Sequence, residues 1–243
     1  MKISNGVKIG GLQKLTLIDY PGKIACTVFL AGCDFRCPWC HNPELVLPEE
    51  IEKSPKIPEK DFFDFLRTRK NLLEGVVICG GEPCINKDLP EFCQKIKKLG
   101  YSVKLDTNGS NPKMLRDLID KKLIDYVAMD VKAPKEKYME AIGLKKGSSR
   151  YLLKQVEESI NILKKGKVDY EFRTTMIPKL LGREDIIKIV KWIGPAKRYC
   201  LQNFRPGGNT VNPNFKQMKP CLDEYLLEIQ KAVAPFFETC QVR

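Results

Sequence analysis

Apolar runs of strand length recur along this chain, and each is followed by a stretch in which apolar residues return at every third or fourth position. The runs cover residues 24–30, 75–79, 101–106, 124–130, 169–175 and 198–203. The helical stretches between them have recognisable ends. One opens at Asp88 with Glu91 three residues on, the pattern of a capping box, and stops at Gly100; its apolar face is Leu89, Phe92, Cys93 and Ile96. Asn111-Pro112 starts the next, which carries Met114, Leu115 and Leu118. Leu153, Val156, Ile160 and Leu163 mark another, and Ile186, Ile189, Val190 and Ile193 one more, with Glu184 and Asp185 in its first turn. A last helix is predicted over about 222–237.

Six strands alternating with helices predict an α/β protein built on a mainly parallel sheet. Right-handed crossovers wind such a sheet into an open twist or part of a barrel, and six units fall short of the roughly eight that close one. The segment 49–58, with Pro55, Pro58 and several charges, reads as a surface excursion and not a boundary. The whole chain, 1–243, is therefore expected to be one domain with its core over about 11–206. In this architecture chemistry gathers at the C-terminal strand ends, and the unusual residues fall there. Cys33, Cys37 and Cys40 follow the first run, Gly80-Gly81-Glu82-Pro83 the second, Asp106-Thr107-Asn108-Gly109 the third and Asp130-Val131-Lys132 the fourth. Arg173 shares a strand face with Glu171 and Thr175, opposite Phe172, which places it inside a barrel. Gln202 and Asn203 end the sixth run.

Hydrophobic residues make up 43% of the 243 and charged residues 30%, the profile of a folded chain. Met1 to Gly6 lacks the apolar core of a signal peptide, and no apolar run approaches the roughly 20 residues of a membrane span, so the expected location is cytoplasmic. Net charge is +12, and half of that excess lies between Lys132 and Lys167, where ten basic residues face four Glu. That span reads first as the solvated faces of helices, and second as a docking surface for an acidic partner.

Ten cysteines in a chain able to fold without disulfides point to metal ligation for the clustered ones and burial for the scattered ones. Cys26, Cys79, Cys93 and Cys200 fall on strand or helix faces and are expected in the core, while Cys84, Cys221 and Cys240 have no assigned role. The spacing Cys33-x3-Cys37-x2-Cys40 offers three thiolates in one loop. A structural zinc site wants a fourth ligand, and His41, the only histidine, is poorly placed directly after Cys40, which makes zinc the lesser alternative. Three thiolates suit a four-iron cluster with one iron left open.

The run from Gly32 to Pro43, Cys-x3-Cys-x2-Cys with Trp39 before the last cysteine, resembles the radical S-adenosylmethionine (SAM) superfamily. Together with Cys40-His41-Asn42 and the preceding Leu17-Ile18-Asp19-Tyr20-Pro21-Gly22, it is similar to activating enzymes of glycyl-radical proteins, above all those of anaerobic ribonucleoside-triphosphate reductase. The resemblance implies a partial (β/α)6 barrel, one oxygen-sensitive [4Fe-4S] cluster per chain on Cys33, Cys37 and Cys40, and SAM chelated to the open iron. It implies reductive cleavage of SAM to a 5′-deoxyadenosyl radical, which takes a hydrogen atom from a glycine of a partner enzyme. It further implies SAM contacts from Trp39, Cys40, His41, Gly80, Gly81, Glu82, Asp106, Asn108, Asp130, Val131, Lys132, Arg173, Gln202 and Asn203. Within that set Glu82 is expected to take the methionyl amine and Arg173 the carboxylate. Residues 42–70 contain no cysteine, so a second cluster is not expected and a flavodoxin or ferredoxin is the expected electron donor. The rival within enzymes is a small-molecule radical SAM enzyme, such as one acting on a 7-deazapurine precursor. A metal protein binding nucleic acid through its basic surface ranks last, because it leaves Glu82, Asp130, Lys132 and Arg173 unexplained.

Overall fold

A computed structural model describes residues 6–144 and 149–243. Met1 to Asn5, part of the stretch read for a leader, and Lys145 and Lys146 of the basic span lie outside the described residues.

Eight strands form one sheet whose spatial order follows the chain. They are β1 (Ile9–Thr16), β2 (Ala25–Leu30), β3 (Gly75–Gly80), β4 (Ser102–Thr107), β5 (Tyr126–Asp130), β6 (Asp169–Met176), β7 (Ala196–Asn203) and β8 (Phe237–Val242). β1 runs antiparallel to β2, and every later pair is parallel. The helices are α1 (Pro43–Val46), α2 (Pro48–Lys53), α3 (Glu59–Thr68), α4 (Leu89–Lys98), α5 (Pro112–Asp120), α6 (Tyr138–Ala141), α7 (Ser149–Lys164), α8 (Arg183–Ile193) and α9 (Asp223–Val233).

Alternation along each strand separates two environments. Val76, Ile78, Val103, Leu105, Val127 and Met129 face the helices and join Phe92 and Ile96 of α4, Leu118 of α5, Ile189 of α8 and Ile229 of α9 in the main core. The opposite faces turn inward. At the N-terminal end of the strands Val77 and Tyr126 meet Ala25 and Tyr20, whose ring lies 6.2 Å from that of Tyr126. Tyr20, from the turn after β1, thus stoppers that end of the barrel. Beyond this plug the inward faces become polar: Lys104, Asp106, Asp130, Glu171 and Arg173.

The six predicted strands are β2 to β7, shifted by no more than two residues at either end. Two strands lie outside the prediction. β1, Ile-Gly-Gly-Leu-Gln-Lys-Leu-Thr, lacks alternation. β8 begins at Phe237, where the last helix was expected to end; that helix stops earlier, at Val233, because Pro235 can neither donate nor fit inside a helical turn. Asn111 caps α5 as predicted, its Oδ1 accepting from the Met114 N–H at 3.1 Å. The capping box at Asp88 does not form: the residue has φ −87° and ψ 2°, its side chain caps nothing, and Glu91 pairs with Lys95 at 3.0 Å instead. No helix among the described residues is long and apolar enough to cross a membrane.

Candidate active site

β2 runs into the cysteine loop, which is held on several sides by backbone hydrogen bonds. The Arg36 N–H donates to the Ile142 carbonyl at 2.8 Å, and the Arg36 guanidinium turns back onto the carbonyls of Cys33 and Phe35, both at 2.7 Å. From the C-terminal side, Val211 N–H donates to the Cys40 carbonyl (3.0 Å) and Asn212 N–H to that of Pro38 (2.8 Å). The next strand end is stitched to the same loop: Gly81 N–H reaches Leu30 O at 2.9 Å and Glu82 N–H reaches Gly32 O at 2.8 Å. A Cβ on Gly81 would lie 2.0 Å from Gly32 O, and Gly80 has φ +126° with Leu30 backbone 2.3 Å from where its Cβ would stand. Only glycines allow two strand ends to approach this closely.

A cleft opens at the C-terminal mouth of the barrel. Cys33, Cys37, Trp39 and Cys40 form one wall; Gly80, Gly81, Glu82 and Asn108 form another; Asp106, Asp130, Lys132 and Arg173 form the floor. Burial pushes the Cys37 thiol up to about 12 and raises those of Cys33 and Cys40 as well, while the Lys132 ammonium works the other way on Cys37 and Cys40. Thiols this reluctant to ionise become thiolates only when a cationic centre sits against them. Among the described residues no three His, Cys, Asp or Glu side chains converge on the point that a single ion would need. A cube of four irons makes no such demand, because each thiolate takes a separate corner. Three thiols on one short loop lining the cleft are a donor set that fits such a cluster.

The floor is one chain of charges. Lys104 pairs with Asp106; Asp106 Oδ2 accepts from Arg173 Nη1 at 2.9 Å; Arg173 Nε donates to Asp130 Oδ1 at 2.8 Å; Asp130 Oδ2 accepts from Lys132 Nζ at 2.7 Å. The register that sets Asp130 beside Arg173 makes the central contact. Although burial opposes ionisation, the cations hold Asp106 and Asp130 below the usual carboxylate range. The anions expected of a ligand at Arg173 are thus supplied by the protein itself.

Glu82 is 1% exposed, and both its oxygens are taken. Oε1 accepts from Cys84 N–H (2.9 Å) and Thr107 Oγ1 (2.7 Å), and Oε2 from Asn108 N–H (2.6 Å). The carboxylate therefore pins the loops after β3 and β4 together. Burial nevertheless outweighs these donors and raises its pKa from 4.5 to about 7. A raised carboxyl pKa stabilises the fold fully below pH 4.5 and loses that contribution as pH rises through about 7. In anaerobic denaturant unfolding, the stability of the wild type relative to Glu82→Gln is expected to fall by up to about 3 kcal/mol between pH 5 and pH 8. A difference that stays constant across this range contradicts the assignment.

The remaining predicted residues lie elsewhere. The Val131 side chain is fully buried in the main core, since alternation turns it away from the face of Asp130 and Lys132. His41, Gln202 and Asn203 line a second cavity that meets the first at Trp39, Cys40 and Asn42. There His41 stacks on Phe204 at 5.3 Å, and the Asn203 amide is spent on the Cys221 backbone, donating at 2.9 Å and accepting at 3.1 Å. Three contributors were missed. Cys79, expected in the core, faces the cleft from β3. Lys104, 1% exposed, and Thr107 belong to the floor and the Glu82 pin. A lysine between Val103 and Leu105 in an apolar run was the available signal for the second. Of the basic span, Lys132 points into the cleft, and Lys135, Lys137 and Lys167 are paired with Glu157, Asp185 and Asp120 at 2.7–2.9 Å.

Residues 27–193 match the model of the radical SAM superfamily. A provisionally named glycyl-radical enzyme activating enzyme of Methanocaldococcus jannaschii is 34% identical over 236 residues, 97% of this chain and 95% of the relative. A 7-carboxy-7-deazaguanine synthase of Aquifex aeolicus is 35% identical, but over 83 residues, 33% of this chain and 34% of that one. Among solved structures, Streptococcus suis SuiB bound to S-adenosylmethionine superposes with a TM-score of 0.61 at 17% identity over 86% of this chain; the chain spans about half (48%) of that protein's length. The chain belongs to the radical SAM superfamily, enzymes of oxidoreductase type whose cofactors are a [4Fe-4S] cluster and S-adenosylmethionine.

Proposed function

We propose that this enzyme installs a glycyl radical on a partner protein, with anaerobic ribonucleotide reductase as the leading candidate and a flavodoxin or ferredoxin as electron donor. The observation that carries the reading is similarity along 97% of the chain to an activating-enzyme relative, whereas the deazaguanine synthase similarity covers a third. Cys33, Cys37 and Cys40 would hold the single cluster, and the bound cofactors supply one-electron cleavage chemistry. Arg173, engaged by two carboxylates, keeps the floor rigid, and Glu82 keeps the Gly80–Gly81 backbone in place beside the cysteine loop. Lys132, which lines the cleft and is paired with Asp130, is the cation best placed to meet the carboxylate of SAM. Trp39 and Asn108 complete the walls and Asp106 the floor; His41, Gln202 and Asn203 face the adjoining cavity, the entry we assign to a peptide segment.

The test is electron paramagnetic resonance of the reconstituted, reduced enzyme mixed anaerobically with SAM and a candidate glycyl-radical protein. A glycyl doublet on the partner is the expected result. Its absence with every candidate, together with turnover of a deazapurine precursor, would transfer the enzyme to the small-molecule class.

A further inference from the structure

The five charges on the cleft floor do not cancel. Lys104, Arg173 and Lys132 alternate with Asp106 and Asp130, so the chain carries one surplus positive charge, and its order puts a lysine at the end nearest the cysteine loop. Lys132 is 17% exposed and lines the same cleft as Cys37 and Cys40, on both of which its charge acts. Reduction of an iron–sulfur centre adds a negative charge at that place, and a fixed cation in a dry site favours the reduced form. Asp130 has the opposite sign and sits between Lys132 and Arg173, so it masks part of the surplus.

We propose that Lys132 raises the reduction potential of the cluster held by Cys33, Cys37 and Cys40, and that Asp130 limits how much of its charge the cluster feels. This rests on the cluster assignment made above. It makes Lys132 an electrostatic positioning residue for the electron, in addition to any contact with SAM.

The experiment is a potentiometric titration of the reconstituted enzyme without SAM, followed by electron paramagnetic resonance, on the wild type, Lys132→Met, Lys132→Arg and Asp130→Asn. Lys132→Met is expected to lower the midpoint, shifting the oxidised-to-reduced ratio about tenfold at fixed potential, which is about 59 mV for one electron. Lys132→Arg keeps the charge and is expected to titrate with the wild type, and Asp130→Asn to shift upward. Packing damage alone would not produce opposite signs from neighbouring residues. If Asp130→Asn fails to take up iron, the comparison of Met with Arg at position 132 still decides. Coincident midpoints for Met, Arg and wild type, with a normal cluster signal in each, would overturn the role of Lys132 alone. No reducible cluster in the wild type would overturn the cluster assignment and this proposal with it.

Discussion

Any single replacement of Cys33, Cys37 or Cys40 by Ala is expected to take the reconstituted protein from about four irons per chain to almost none and to abolish SAM cleavage. The cysteine loop has no reserve ligand. His41 is stacked on Phe204 and faces the second cavity. Cys79 is the other thiol lining the cleft, but it lies across from the loop on β3, and burial together with the Asp106 carboxylate pushes it up to about 12. Its backbone is held in the ladder between β3 and β2, so it cannot move into the place of a lost loop cysteine. Iron analysis and visible spectra check the result. Roughly eight irons in the wild type would show a second cluster, and retention of cluster and cleavage in any one variant would remove that cysteine from the ligand set.

Arg173→Met is expected to be the most destabilising change on the cleft floor. It removes two charge-assisted hydrogen bonds and leaves Asp106 and Asp130 with one lysine each, deep in the barrel. The loss should be about 3–5 kcal/mol, or a fall in melting temperature of roughly 10 °C for a chain of this size. Partners exposed by only 11–24% give no reason to discount the figure for solvent screening. Because both carboxylates titrate below their ordinary values, their contribution is present above about pH 4 and lost as pH falls further. The variant should therefore show a flatter acid limb, and adding Asp130→Asn should recover part of the loss. A melting temperature within two degrees of wild type, which is about 1 kcal/mol or less, would show that the network carries little of the stability.

The layered core was legible because its signal is periodic. Six strands and most helices announced themselves through apolar positions, and their C-terminal ends gathered the cleft residues that the sequence had singled out. β1 and β8 were not legible, since edge strands need not be apolar on both faces and both contain Gln and other polar residues. Within the site, residue identity was readable while partnership was not. Glu82 was expected at a ligand's amine as the carboxylate of Gly80-Gly81-Glu82, and Arg173 at its carboxylate as an inward arginine in need of an anion. Only the fold shows that residues 25 and 67 positions away, Thr107 and Asp106, already engage them. Lys104 shows the same limit: one inward lysine in an apolar strand reads as an anomaly until the adjoining carboxylate is seen.

The sheet is assembled in strict sequence order, each strand lying beside its neighbours in the chain. An insertion between two strands therefore lengthens one loop on the rim without breaking any pairing, as the excursion through α1 and α2 between β2 and α3 already illustrates. The floor of charges is fixed by strands, whereas the surface a partner first meets is made of connections. Such a scaffold can reshape its rim one loop at a time while the charged interior stays where the strands hold it.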